Sequence, residues 1–187
     1  MEVLGIFTAF GLSASAGLNA YIPLLAVALL ARFTHLITLK APWDGLTSWW
    51  IIGLLAFLSI IEFVADKIPA VDHVNDVIMT FIRPAAGAVV FAASTSIIDV
   101  NTVFAMAMGL LVAGSVHAVK ASVRPVVTIS TAGTGNALVS MAEDTVSTVV
   151  SVVSIVWPYV AAFFVLLMAF LVTLWLIRRS KRNTSQV

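Results

Sequence analysis

Tyr159-Val-Ala-Ala-Phe-Phe-Val-Leu-Leu-Met-Ala-Phe-Leu-Val-Thr-Leu-Trp-Leu-Ile177 is a run of nineteen residues without a formal charge. A helix rises about 1.5 Å per residue, so about twenty apolar residues match the hydrocarbon thickness of a bilayer. Trp157-Pro158 precedes the run and Arg178-Arg179-Ser180-Lys181-Arg182 follows it, an aromatic start and a basic anchor. The rest of the chain shares its character: 61% of residues are hydrophobic and 10% charged, and the mean hydropathy is +1.09. Soluble domains hold about 45–50% apolar residues. The 187 residues therefore read as one all-α polytopic membrane domain, 1–187, with a basic cytoplasmic tail over 178–187.

Composition also excludes functions. The net charge is +1 and only the tail clusters basic residues, so no nucleic-acid partner is implied. The absence of cysteine removes disulfides, thiolate metal sites and cysteine nucleophiles. There is no His-Glu-x-x-His, Gly-x-Ser-x-Gly, Walker or dinucleotide motif, and no cofactor is expected. An apolar start followed by Ser13-Ala-Ser-Ala-Gly17 imitates a signal peptide, but Glu2 and the lack of Lys or Arg before Arg32 argue against cleavage.

Apolar runs between polar breaks predict about six transmembrane helices: 5–31, 48–65, 84–98, 102–123, 137–156 and 159–177. Gly11, Gly17, Asn19 and Pro23 sit in the first, which is expected to bend or break near its middle. The segment 67–82, where Asp72, His73, Asn75 and Asp76 alternate with valines, reads as a partly embedded helix, interfacial or re-entrant. Short-loop Lys and Arg set orientation. With both termini in the cytoplasm, eight basic residues (Lys67, Arg83, Lys120, Arg124 and four in the tail) face inward against Arg32 and Lys40 outside. The expected location is a bacterial cytoplasmic (inner) membrane, with the lipid bilayer as partner and a homo-oligomer as assembly.

The halves 1–100 and 101–178 echo one another. Arg83-Pro84-Ala-Ala-Gly-Ala88 resembles Trp157-Pro158-Tyr-Val-Ala-Ala162, each with proline at the expected start of a span, and Pro23 and Pro125 each sit among small residues. Three spans per half predict a 3+3 inverted repeat with broken helices, a transporter design.

Eleven of the nineteen formal charges fall between Glu62 and Asp144. A charge at bilayer depth costs about 2.5–3.5 kcal/mol on insertion scales, so such groups face a bundle interior, a cavity or one another. Glu62 and Asp66 are four apart on one helix face, and Asp72 and Asp76 repeat that spacing beside His73. With Glu143 and Asp144 they suit a proton relay or a hard cation, and Glu62, Asp66, Asp72, His73 and Asp76 are the metal-ligand candidates. Those acids also have a plain alternative, pairing with Lys67 and Arg83. His117, Lys120 and Arg124, at i, i+3 and i+7, form a cationic stripe that either holds an anion or neutralises Glu143 and Asp144.

Pro125 opens a hydroxyl- and glycine-rich passage containing Ser130, Thr131, Gly133, Thr134, Gly135 and Asn136. Either it unwinds the fourth span and presents the next helix's N–H groups to an anion, or it is an ordinary helix–helix turn.

Gly11-Leu-Ser-Ala-Ser-Ala-Gly-Leu-Asn-Ala-Tyr-Ile-Pro23, Glu62-Phe-Val-Ala-Asp-Lys-Ile-Pro-Ala-Val-Asp-His-Val-Asn-Asp76, Phe81-Ile-Arg-Pro84, Ala121-Ser-Val-Arg-Pro125, Gly133-Thr-Gly-Asn136 and Ala142-Glu-Asp144 together resemble the bacterial membrane family DUF4126. The resemblance implies kinship and brings no activity or functional residue with it. From the residues themselves the expected function is a small transporter of an ion or an anionic solute or lipid headgroup, coupled to a proton or cation. Arg83, Lys120 and Arg124 would hold the anion, Glu62, Asp66, Glu143 and Asp144 the coupling ion, with Asn19 at the break. The alternatives are a channel or structural membrane subunit, and a metal-dependent enzyme acting on lipid.

Overall fold

The computed structural model describes residues 2–98 and 100–184, without the side chains at 2, 3, 69, 70, 72–74, 169, 172 and 175–184. The candidates Asp72 and His73, Trp175 and the basic tail thus lie outside the described side chains. The described residues form seven α-helices and no strand: α1 (Glu2–Leu18), α2 (Tyr21–Phe33), α3 (Trp49–Ala65), α4 (Pro69–Ser94), α5 (Thr102–Thr131), α6 (Asn136–Val156) and α7 (Pro158–Thr184).

Local chemistry explains the boundaries. The Ser48 hydroxyl accepts from Ile51 N at the start of α3, and Asn101 Oδ1 accepts from Val103 N and Phe104 N at the start of α5. Pro69 and Pro158 open α4 and α7, where a missing N–H costs nothing. Ala132 (φ 49°) and Gly133 (φ 84°) end α5 in the left-handed region, and Gly133 N returns to Thr128 O at 2.9 Å.

The packing is that of a protein in lipid. Phe57, Ile60, Phe104, Leu111, Phe163 and Leu166 are exposed, while alanine, serine and glycine line the helix contacts. At the α4–α5 crossing a Cβ on Gly109 would lie 2.2 Å from Gly87 O, so two backbones touch where only hydrogen fits. Leu12, Leu24, Val27, Ile52, Leu55 and Val90 form the apolar centre of α1 to α4.

α1 and α2 do not make one bent span. The chain breaks at Asn19-Ala20, as expected, but then reverses. Leu4, Gly5 and Thr8 of α1 line the same cavity as His35 to Thr38 beyond α2, together with Ser94, Ile98 and Pro158. Had α2 continued in the direction of α1, its end would lie a whole helix length from Thr8. The first segment is therefore a helical hairpin whose tip, Leu18-Asn19-Ala20, points into the bundle. That reversal replaces the single bent span expected over 5–31 with two helices. α1 starts at the end of the molecule that holds Pro158, whereas α7 runs away from it until Met168 lines a groove with Leu18 and Lys120.

Three further expectations change. Three helices among the described residues are long and apolar enough to cross a membrane, 75–94, 102–131 and 136–156, fewer than the six expected. The first span is cut into pieces of 17 and 13 residues, and α3 has 17. Segment 67–82 is no separate element: it leads into α4, which runs unbroken through Pro84. Nor does Pro125 end the fourth span, since α5 continues to Thr131. Proline deletes one N–H and crowds the preceding turn, yet a helix with apolar turns on both sides retains its other hydrogen bonds, which nothing in a bilayer would replace. Of the paired prolines only Pro158 opens a helix, and the pair of broken helices expected of an inverted repeat is reduced to one.

Candidate functional site

The hairpin tip leaves free backbone groups, and charged side chains from two other helices meet them. Ala20 N donates to both Glu62 oxygens at 3.1 and 3.3 Å. Tyr21 N and Ile22 N donate to Asn19 Oδ1, each at 3.1 Å. On the other side of the break Lys120 Nζ donates to Leu18 O at 2.9 Å, and Asn19 Nδ2 donates to Asp144 Oδ1 at 3.0 Å. A helix N-terminus carries partial positive charge and a C-terminus partial negative charge, so a carboxylate and an ammonium are placed where each is favoured.

Behind the tip the ions form one lattice. Arg83 is fully buried and its Nη2 lies 2.9 Å from Glu62 Oε1 and 3.4 Å from Asp66 Oδ2. Asp66 Oδ2 is also 3.2 Å from Arg124 Nη2 and 3.5 Å from Lys120 Nζ, and Asp66 Oδ1 accepts from Asn75 Nδ2 at 2.7 Å. Glu143 Oε2 takes both Lys120 Nζ and Arg124 Nη2 at 2.9 Å. Asp76 stands 3.7 Å from Arg83 and from Arg124. Lys67 lies 3.5 Å from Asp144. Arg83 Nη1 is 3.2 Å from His117 Nδ1. A guanidinium can only donate, so Nδ1 accepts and Nε2–H donates to Thr80 Oγ1 at 3.1 Å.

Asn19, Glu62, Asp66, Arg83, His117, Lys120, Arg124, Glu143 and Asp144 thus come together as the sequence reading grouped them. The glycine-rich passage does not join them. Residues 132–135 are the α5–α6 turn, in which Thr131 Oγ1 accepts from Gly135 N and Thr134 Oγ1 donates to Thr131 O. Ser130 is exposed, and Asn136 takes a hydrogen bond from Thr128. Among the described residues no group of three or more metal-ligand side chains converges. Glu62, Asp66 and Asp76 each face Arg83, so a guanidinium stands where a metal would be drawn.

Two features escaped the sequence reading. One is the set of partners that the backbone at the expected break takes, Glu62 at Ala20 N and Lys120 at Leu18 O. The other is a neutral seam between α1 and α6, in which Ser15 Oγ lies 2.7 Å from both Ser147 Oγ and Ser151 Oγ and donates within 2.8 Å of Ser147 O. Thr8 Oγ1 donates to Ser154 O at 2.8 Å, and Gly11 makes room for Ser154 Oγ, which a Cβ there would meet at 2.1 Å. Its signal was present: Ser140, Asp144, Ser147, Ser151 and Ser154 repeat at steps of four and three along α6.

A helical bundle with exposed apolar surfaces, three helices long and apolar enough to cross a membrane, and a buried ion lattice defines a helical membrane protein. Residues 6–179 match the family model described as Domain of unknown function (DUF4126), and the chain belongs to that family. No curated protein and no solved structure matches it.

Proposed function

We propose that the protein is a membrane transporter that carries a small anion, coupled to a proton or cation, by rearrangement of the α1–α2 tip against the ion lattice. The observation that supports it is the re-entrant break itself. In transporters discontinuous helices bring their N-terminal ends to anions and their carbonyl ends to cations. Here Glu62 stands in for the anion at Ala20 N, and Lys120 for the cation at Leu18 O. In this reading Arg83, Lys120 and Arg124 receive the substrate's charge, and Glu62, Asp66, Glu143 and Asp144 the coupling ion. α3 to α7 cross the membrane and α1–α2 re-enters from one side. Lys67 and the tail set the lattice end in the cytoplasm, and α1 begins outside.

The test is proton-driven uptake of chloride, phosphate and acetate by the purified protein in liposomes. Uptake of at least one anion should fall more than tenfold in Glu143→Gln and in Arg124→Ala. Unchanged uptake in both would remove these roles. A second reading, a structural membrane subunit, draws on the pairing of the lattice ions with one another, and it is favoured if folded protein moves none of the three.

A further inference from the structure

Glu143 differs from the two most deeply buried acids of the lattice. The side chains of Glu62 and Asp66 are 0% and 2% exposed, whereas that of Glu143 is 13% exposed and lines a groove. The groove measures about 470 Å³, within the range of about 300–1,000 Å³ usual for ligand pockets. Its walls are Leu18 at the hairpin tip, Val116, Val119 and Val123 of α5, and Met168 of α7; Lys120 and Glu143 are its charged lining. Val119 and Val123 lie in a helix long and apolar enough to cross a membrane and are themselves exposed, so the groove opens sideways toward lipid. At its polar end one oxygen, Glu143 Oε2, collects an ammonium and a guanidinium at 2.9 Å each. That is the position of a ligand's anionic oxygen, filled by the protein's own carboxylate.

We infer that the groove takes a membrane-resident, single-chain amphiphile with an anionic head, and that the head displaces Glu143 from Lys120 and Arg124. A purely ionic solute has no use for the apolar walls, and an uncharged chain none for the cations. The exchange balances in charge. A monoanionic head replaces the Glu143 carboxylate, and the displaced carboxylate, deprived of both cations, takes one proton from solution. Lys120 and Arg124 face Glu143 from α5; beyond them stand Asp66 after α3 and Asp76 on α4, while Asp144 turns to Asn19 and Lys67. This deepens the transport reading and rests on it for the claim that the exchange moves the head across the membrane.

The full chain in nanodiscs of neutral phosphatidylcholine, titrated with decanesulfonate or methanesulfonate in weakly buffered solution, tests the exchange. Both probes are permanent monoanions and differ in the chain alone. Decanesulfonate should bind at least tenfold more tightly than methanesulfonate and draw about one proton per protein, tenfold being about 1.4 kcal/mol. Glu143→Gln should bind it without proton uptake. Val119→Trp, which fills the groove from its exposed wall and leaves every charged residue of the lattice in the sequence, should weaken binding at least tenfold in protein that unfolds at the wild-type temperature. Equal binding of the two sulfonates, or no effect of Val119→Trp, overturns the groove; proton uptake that persists in Glu143→Gln overturns the exchange. Small-anion flux without decanesulfonate binding sinks this inference and leaves the transporter standing. Binding without any flux in liposomes, of decanesulfonate included, does the reverse.

Discussion

The α1–α6 seam and the tip lattice meet where α1 ends beside α6 and solve one problem in opposite ways. Both bury polar atoms in a bundle with few large apolar side chains inside. In the seam, neutral hydroxyls satisfy one another across small residues, and the helices stay close. In the lattice, full charges are arranged so that Asp66 alone serves Arg83, Lys120 and Arg124. A neutral seam loses hydrogen bonds but strands no charge when one partner goes. An ion lattice is left with an unbalanced charge that has no water to receive it. The seam is built to hold α1 in place, and the lattice is the part in which exchanging one ion alters every neighbour.

Substitutions can break that contrast. The largest effect is expected from Arg83→Leu, which leaves the buried Glu62 without its guanidinium: breaking a buried ion pair costs about 3–5 kcal/mol. Thermal unfolding in detergent should show a large drop or no folded protein, and a shift no bigger than a seam variant's would erase the distinction. Ser15→Ala comes next. It removes the hydroxyl shared by Ser147 and Ser151 and should cost about 1 kcal/mol, the scale of hydrogen bonds between membrane helices. A loss as large as that of Arg83→Leu would mean that the seam, too, depends on long-range coupling. Thr134→Ala, in the α5–α6 turn, should stay within about 0.5 kcal/mol and leave uptake unchanged, as surface changes do. Lost uptake there would restore the glycine-rich turn to the site.

The sequence made the helical membrane class legible through its uncharged runs, and most of the lattice through charges placed where a bilayer penalises them. It also placed the break near Asn19. The direction taken after the break was not legible, because Asn19 serves as a cap inside the bundle and composition carries no sign of reversal. That hidden turn is why the single span expected over 5–31 is found as two helices. Pro84 and Pro125 misled for another reason: local propensity marks them as breaks, and the hydrogen bonds of flanking turns override it. The Gly133-Gly135 passage looked like an anion cradle because turns and cradles use the same residues.

The Glu62–Arg83 pair also bears on how the chain enters the bilayer. The two residues belong to α3 and α4, consecutive helices joined by Asp66-Lys67-Ile68, and lie 2.9 Å apart. Emerging in order during synthesis, these helices can bring Glu62 and Arg83 together before α5 is made, while Asp66 and Asp76 still lack the cations of α5. Lys120 and Arg124 arrive later and find Asp66 already in place. Assembly of the lattice is thereby ordered along the chain, beginning with the pair that is most deeply enclosed at the end.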